Sequence, residues 1–197
     1  MKKQNVVFDL GNVLVAYDWK RYLQSFSFDE ETFKKVSEAM FLNEDWVRGD
    51  AGVPKEEWLD LFIENAPAYE EEIRLVYKDL GKCIYRYDYT LPLIHYFQKN
   101  GYRIFYLSNY SEGLYEKTKE QLSFIEDFDG GVFSYKEKCI KPDEKIYKIL
   151  IERYQIKEEE TLFFDDRKEN IEAAEEIGMK GILVDKELVS KIRDQIL

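Results

Sequence analysis

Four short polar motifs each follow or closely trail an apolar run: Asp9 in Val6-Val7-Phe8-Asp9-Leu10-Gly11-Asn12-Val13, then Ser108-Asn109, Lys141-Pro142 and Asp165-Asp166. A charge placed where a buried strand gives way to a glycine turn costs free energy unless it is paired or coordinated, so Asp9 is expected to do chemistry. A carboxylate there can attack phosphorus and form an aspartyl-phosphate, dividing one difficult hydrolysis into two easier steps. Two neighbouring anions require a cation, and Asp9 with Asp166 offers the hard oxygen ligands that Mg²⁺ prefers. Lys141 adds a point charge for phosphate oxygens. The Ser108 hydroxyl and nearby backbone N–H groups can hydrogen-bond the same oxygens where a helix begins after Ser111.

Bringing these residues together requires a particular set of elements. Short β-branched or aromatic runs at 5–8, 103–107, 131–133, 161–164 and 181–184 read as buried strands. Helical spacing lies between them: Leu91, Ile94 and Phe97 precede Gly101; Ile146, Ile149, Leu150 and Tyr154 follow Pro142; Ile171, Ala174 and Ile177 precede Gly178. The alternation predicts an α/β fold with a doubly wound parallel sheet, in which ligands bind outside the carboxyl ends of the strands. Residues 16–87 give no strand signal. There Phe33, Val36 and Met40, then Trp58, Leu61 and Phe62, then Ile73, Tyr77, Leu80 and Ile84 mark three amphipathic helices, with a shorter one around Tyr22, Leu23 and Phe26. The expected division is a core of residues 1–15 and 88–197 and an inserted helical cap of residues 16–87. Both connections of the cap pass beside Asp9, where it could close over a bound molecule. Residues 186–197 read as a closing helix.

Composition narrows the function classes. With 45% hydrophobic and 16% aromatic residues the chain is far from a disordered composition. Forty acidic against 29 basic residues give a net charge of −11, which repels a phosphate backbone and argues against a nucleic-acid partner. A small phosphorylated metabolite remains the expected partner, because local groups bind it. No leader-like segment or long apolar stretch is evident, so a cytoplasmic protein without membrane contact is expected; the sequence leaves oligomeric state open. Cys83 and Cys139 are too few for a disulfide framework. His95 falls inside a helical pattern far from the motifs and reads as structural.

DLGNV after an apolar strand, LSN after the second core strand, KPDEKIY and FFDDRKENIEAAEEIG together resemble the haloacid-dehalogenase (HAD) superfamily of aspartyl-phosphate phosphatases, in family order over nearly the whole chain. The resemblance implies a Rossmann-like core with a helical cap. RGDAGVPKEEW within the insertion is similar to the subfamily that includes bacterial α-D-glucose-1-phosphate phosphatase. By resemblance, Asp9 matches the nucleophile and first metal ligand, Gly11 the residue that lends its backbone carbonyl to the metal, and Asp166 the second metal carboxylate. Ser108 and Asn109 match the phosphate-binding segment and Lys141 the lysine that steadies nucleophile and phosphate. Asp165 is implied to support Lys141, and Asn170 stands where many relatives have an acidic residue, suited to holding a metal-bound water.

Gly11 departs from the family. Most of its phosphatases carry there a second aspartate that protonates the leaving oxygen and later activates water, and glycine does neither. General acid–base help is worth about a hundred- to ten-thousandfold. Glycine also occurs at this position in the glucose-1-phosphate phosphatase, so the expected substrate is a sugar phosphate such as a hexose 1-phosphate, whose anomeric oxygen leaves with less protonation. Asp18 is a weaker candidate for the acid than for a helix cap. Two alternatives stand beside a Mg²⁺-dependent phosphatase: a dehalogenase-type hydrolase of carbon–halogen bonds, and a phosphate-ligand binding protein with impaired turnover. Trp46, Trp58 and Tyr77 fit a helical core first and a substrate-contacting surface second.

Overall fold

A computed structural model describes residues 4–196. The first half of the chain comprises β1 (Asn5–Phe8), β2 (Val15–Tyr17), α1 (Trp19–Gln24), α2 (Glu30–Met40), α3 (Glu44–Asp50), α4 (Lys55–Asn65), α5 (Glu70–Lys78), β3 (Ile84–Arg86) and α6 (Thr90–Lys99). It continues through β4 (Arg103–Ser108), α7 (Glu112–Thr118), β5 (Gly130–Phe133), α8 (Ser134–Glu137), α9 (Glu144–Tyr154), β6 (Thr161–Asp165), α10 (Lys168–Glu176), β7 (Lys180–Leu183) and α11 (Lys186–Ile196). The helix expected to the C-terminus is present as far as the described residues extend; Leu197 lies outside them.

Five strands form one parallel sheet in the order β5-β4-β1-β6-β7. All five occur where the apolar runs place them, with ends shifted by a residue, as at Gly130 in β5 and Asp165 in β6. Strand periodicity divides the side chains between two layers. Val6, Phe8 and Ile104 pack with Leu93, Ile94 and Phe97 of α6, while Val7, Phe105 and Phe163 pack with Ile146, Tyr147 and Leu150 of α9. Covering both faces explains why these strands read as near-continuous apolar runs. Each fully buried side chain of this size contributes about 1.5–3 kcal/mol. Because β1 lies centrally and the chain leaves it first toward β4 and later toward β6, a crevice opens at its carboxyl end.

Five helices, α1–α5, are inserted between β2 and β3. Their buried Tyr22, Val36, Met40, Trp58, Phe62, Ile73 and Val76 continue the same apolar cluster as Phe8 and Phe97. Residues 16–87 differ from the expectation in two respects. At both ends of the insertion, β2 and β3 pair antiparallel, with Val15 opposite Arg86 and Tyr17 opposite Ile84. Three-residue strands carry no readable period, and Ile84 lies four residues after Leu80, so it mimics one more helical turn. Leu80–Cys83 instead forms a 3-10 turn after α5 ends at Lys78. The second difference is α3, which starts at an Asn43 cap accepting the Asp45 N–H at 2.8 Å and buries only Gly49. It therefore lacks an apolar stripe.

The insertion sits against the sheet through α7 and the end of β5. Gly81 faces the Lys117 backbone so closely that a Cβ would overlap the carbonyl oxygen. Lys55 Nζ pairs with Glu116 at 2.8 Å, and the Ser134 hydroxyl donates to the Asp50 carbonyl at 2.6 Å. The last contact fixes the end of α3 over the sheet.

Candidate active site

Strand register assembles the four motifs. Phe8 is level with Tyr106 on β4 and Phe164 on β6, so Asp9 emerges between Leu107-Ser108 on one side and Asp165-Asp166 on the other. The Asp9 N–H extends the ladder by donating to the Phe164 carbonyl at 2.8 Å. Beyond it the chain turns tightly: Val15 N–H donates to Leu10 O at 2.9 Å, and Asn12 adopts φ 57°. Asparagine tolerates that left-handed conformation better than most residues. From it, Asn12 Nδ2 reaches Asp166 Oδ2 at 3.1 Å, while its Oδ1 accepts the Tyr17 N–H at 3.2 Å. One residue thus ties the first motif, the fourth motif and β2 together.

Lys141 is 2% exposed, yet its ammonium lies 3.0 Å from Asp9 Oδ1 and 2.6 Å from Asp165 Oδ2. Its backbone is clamped by Asn109, whose Oδ1 accepts the Lys141 N–H at 2.8 Å and whose Nδ2 donates to the Lys141 carbonyl at 3.0 Å. The Asn109 side chain, expected on phosphate, is therefore committed to positioning the lysine. Asp165 is wholly buried and its oxygens are engaged: besides Lys141, it accepts Arg167 N–H at 2.9 Å and Asn170 Nδ2 at 3.0 Å. It holds Lys141 as the sequence resemblance implies.

One oxygen from each of Asp9, Asp165 and Asp166 lies within 4.8 Å of the others. With Asp165 engaged elsewhere, Asp9 and Asp166 are the carboxylates with capacity for a cation. Asn170 adds an independent indication: it is 2% exposed, and its side-chain oxygen has no hydrogen-bond partner. A buried acceptor left alone needs an explanation, and a metal ion or its bound water supplies one. The donor set is all oxygen and carries two carboxylates, which fits Mg²⁺ and not a thiophilic metal.

Electrostatics agree. Asp9 is pushed up to about 6, first by burial; Lys141 and a hydrogen bond from Ser108 oppose the rise, while Asp165 and Asp166 add to it. Asp166 is also raised, again chiefly by burial, against a hydrogen bond from Asn12. Burial acts to lower Lys141, but Asp9 and Asp165 overcome it and hold the ammonium above its ordinary value. One lysine does not balance three carboxylates, and a divalent cation would.

The crevice holds about 420 Å³ and is lined at its base by Asp9, Gly11, Asn109, Lys141, Asp166 and Asn170. Its upper wall comes from the insertion and its surroundings, with Tyr17, Trp46, Val47 and Leu114 providing apolar surface and Asp50 and Arg167 polar groups. Of the insertion aromatics, Trp46 faces the crevice, whereas Trp58 is buried with its indole N–H on the Asp45 carbonyl at 2.7 Å and Tyr77 donates to the Lys55 carbonyl at 3.2 Å. Asp18 caps α1 by accepting the Arg21 N–H and is not among the lining residues; His95 is exposed on α6. A Cβ on Gly11 would meet nothing within 4 Å, so packing does not demand glycine there.

Asn12, Asp50 and Arg167 were not marked as site residues by sequence reasoning. Asn12 carries a readable signal, an asparagine after glycine in a tight turn. Asp50 lies within RGDAGVPKEEW, which resembles a subfamily, but the helix that presents it has no periodicity of its own to place it at the site.

Residues 3–178 match the haloacid dehalogenase-like hydrolase family, and the chain belongs to it. It is 26% identical, over 92% of its length and 87% of the relative's, to Phosphatase MT3486 of Mycobacterium tuberculosis. Identity is 22% to the sesquiterpene phosphatase astK of Aspergillus oryzae, over 89% of this chain and 87% of that one. Among solved structures, the HAD family enzyme bt-2542 of Bacteroides thetaiotaomicron in its magnesium complex superposes with a TM-score of 0.77 at 22% identity, covering 96% of this chain and 99% of that one. The same enzyme has been solved with magnesium and inorganic phosphate together.

Proposed function

We propose that this hydrolase is a Mg²⁺-dependent phosphatase that cleaves a small phosphate monoester through an aspartyl-phosphate on Asp9. The observation that carries the proposal is the placement of Asp9 at the base of the crevice, paired with buried Lys141 at 3.0 Å and adjacent to Asp166. Asp9 would attack phosphorus, and Lys141 and Ser108 would take up negative charge on the phosphoryl oxygens. Asp9, Asp166 and the Gly11 carbonyl, with Asn170 through water, would hold Mg²⁺. When bound, the ion offsets the repulsion between carboxylate and ester and polarises the phosphoryl group. Water then cleaves the acyl phosphate. In this reading residues 1–15 and 88–197 form the catalytic core and residues 16–87 the cap that shields the intermediate.

The substrate class we infer is a sugar phosphate such as a hexose 1-phosphate, in keeping with the resemblance of the insertion to the glucose-1-phosphate phosphatase subfamily. Tyr17 and Trp46 supply flat apolar faces on which a pyranose ring can stack, and about 420 Å³ suits a small metabolite. Nothing in the net charge of −11 favours nucleic acid, and no helix among the described residues is long and apolar enough to cross a membrane. A cytoplasmic setting suits the two free cysteines.

A phosphate-ester panel assayed with and without EDTA tests the reading, with Asp9→Asn as control. Magnesium-dependent release of phosphate, faster from hexose 1-phosphates than from hexose 6-phosphates and lost in the variant, is the expected result. Activity on 2-haloacids that survives EDTA would establish the dehalogenase alternative. Tight phosphate binding without turnover would establish the binding protein. Equal or reversed preference between the hexose phosphates would remove the anomeric-oxygen argument alone.

A further inference from the structure

Resting on the phosphatase reading, we propose that Asp50, presented by α3 of the insertion, is the general acid and base that Gly11 cannot be. Asp50 lines the crevice opposite the sheet, in the same lining as Asp9, Gly11 and Lys141. A leaving group bound above the phosphoryl site would lie between Asp9 and this carboxyl. The space next to Gly11 is open, so the leaving oxygen is unobstructed on that side.

The position of Asp50 is fixed by the core as well as by its own helix. The Ser134 hydroxyl donates to the Asp50 carbonyl at 2.6 Å while accepting the Tyr110 N–H at 2.9 Å, which couples α3 to the loop that carries Asn109 at the end of β4. Gly49 packs against the Trp58 indole with no room for a Cβ, setting the depth of α3. The groups that act on Asp50 are Asp9, Lys141 and Arg167; Tyr17 and Tyr110 sense it in turn. Burial first, and repulsion from Asp9 second, push its carboxyl up to about 8 against Lys141 and Arg167, so it holds a proton at neutral pH.

The chemistry balances. As Asp9 Oδ bonds to phosphorus, the P–O bond to the leaving group breaks, its electron pair goes to the leaving oxygen, and Asp50 transfers its proton there. In the second step the Asp50 carboxylate takes a proton from water as the water oxygen bonds to phosphorus. The bond from phosphorus to Asp9 breaks, freeing phosphate and restoring both carboxyl groups.

Asp50→Asn and Asp50→Ser are compared with the parent on esters of graded leaving-group acidity, from p-nitrophenyl phosphate through a hexose 1-phosphate to a hexose 6-phosphate. We expect kcat to fall about a hundred- to ten-thousandfold on the 6-phosphate, less on the 1-phosphate and only a few-fold on the nitrophenyl ester. The alkaline limb of the parent's pH profile, expected near the Asp50 value of about 8, should vanish. Inhibition by inorganic phosphate should be unchanged. Adding Gly11→Asp to Asp50→Asn should return part of the lost 6-phosphate activity. Uniform loss across the esters, no loss, or a persisting alkaline limb would overturn the proposal while leaving the phosphatase reading intact. A parent that hydrolyses none of the esters would overturn both.

Discussion

Replacing Lys141 by methionine keeps the apolar stem and removes the ammonium that lies 3.0 Å from Asp9 and 2.6 Å from Asp165. Breaking a buried pair from one side costs about 3–5 kcal/mol, because the surviving charge stays buried. Asp165 retains the Arg167 N–H and Asn170 Nδ2 as donors, which argues for the lower part of that range, about 3–4 kcal/mol. For a chain of this size each kcal/mol shifts Tm by about 2–4 °C, giving a fall of about 6–16 °C. The pH dependence has a definite sign. Asp9 already titrates at about 6 in the folded chain against 3.8 as the ordinary value, so its charged form is disfavoured by folding. Such a group costs stability above its unfolded value, and the cost vanishes once both states are protonated. Without the lysine the cost grows, so the gap between parent and variant that Asp9 contributes should be open at pH 7 and should close as pH falls through about 6. Urea denaturation at several pH values, without divalent ions, measures it. A gap below about 1 kcal/mol at pH 7, the level of an exposed pair, or one that widens in acid, would refute the reasoning.

Magnesium should raise Tm in a concentration-dependent way, by about 2.7 kcal/mol of stability at one hundred times its dissociation constant. Asp166→Asn should weaken that effect strongly, and calorimetric titration with the metal alone checks it. Asn12→Ala removes the 3.1 Å contact to Asp166 and the 3.2 Å contact from Tyr17 N–H and puts alanine at φ 57°, so it should weaken magnesium binding and cost about 1–2 kcal/mol of stability. Gly49→Ala drives a methyl into the Trp58 indole and should cost about 1–3 kcal/mol, read by denaturant midpoint.

The parallel sheet was legible because its strands are buried on both faces and so stand out as apolar runs ending in polar residues. The placement of Asp9 and Asp166 at one edge of the sheet followed from that reading, because each closely follows such a run, while Lys141 was placed in the connection after the run at 131–133. That the Asn109 side chain bonds the Lys141 backbone was not legible, because the two residues lie thirty-two apart in the chain. β2, β3 and α3 escaped for a common reason: each is too short, or too dependent on contacts distant in sequence, to carry its own period. Asp50 was noticed only as part of RGDAGVPKEEW and not as a site residue, because what places it is Ser134, more than eighty residues away.

The central claim is that Asp9 becomes phosphorylated. The enzyme mixed with magnesium and its best ester, acid-quenched within a turnover and digested, should yield a phosphoryl adduct on the peptide containing Asp9, absent from Asp9→Asn. An adduct on another residue, or rapid turnover with no adduct at any quench time, would contradict it.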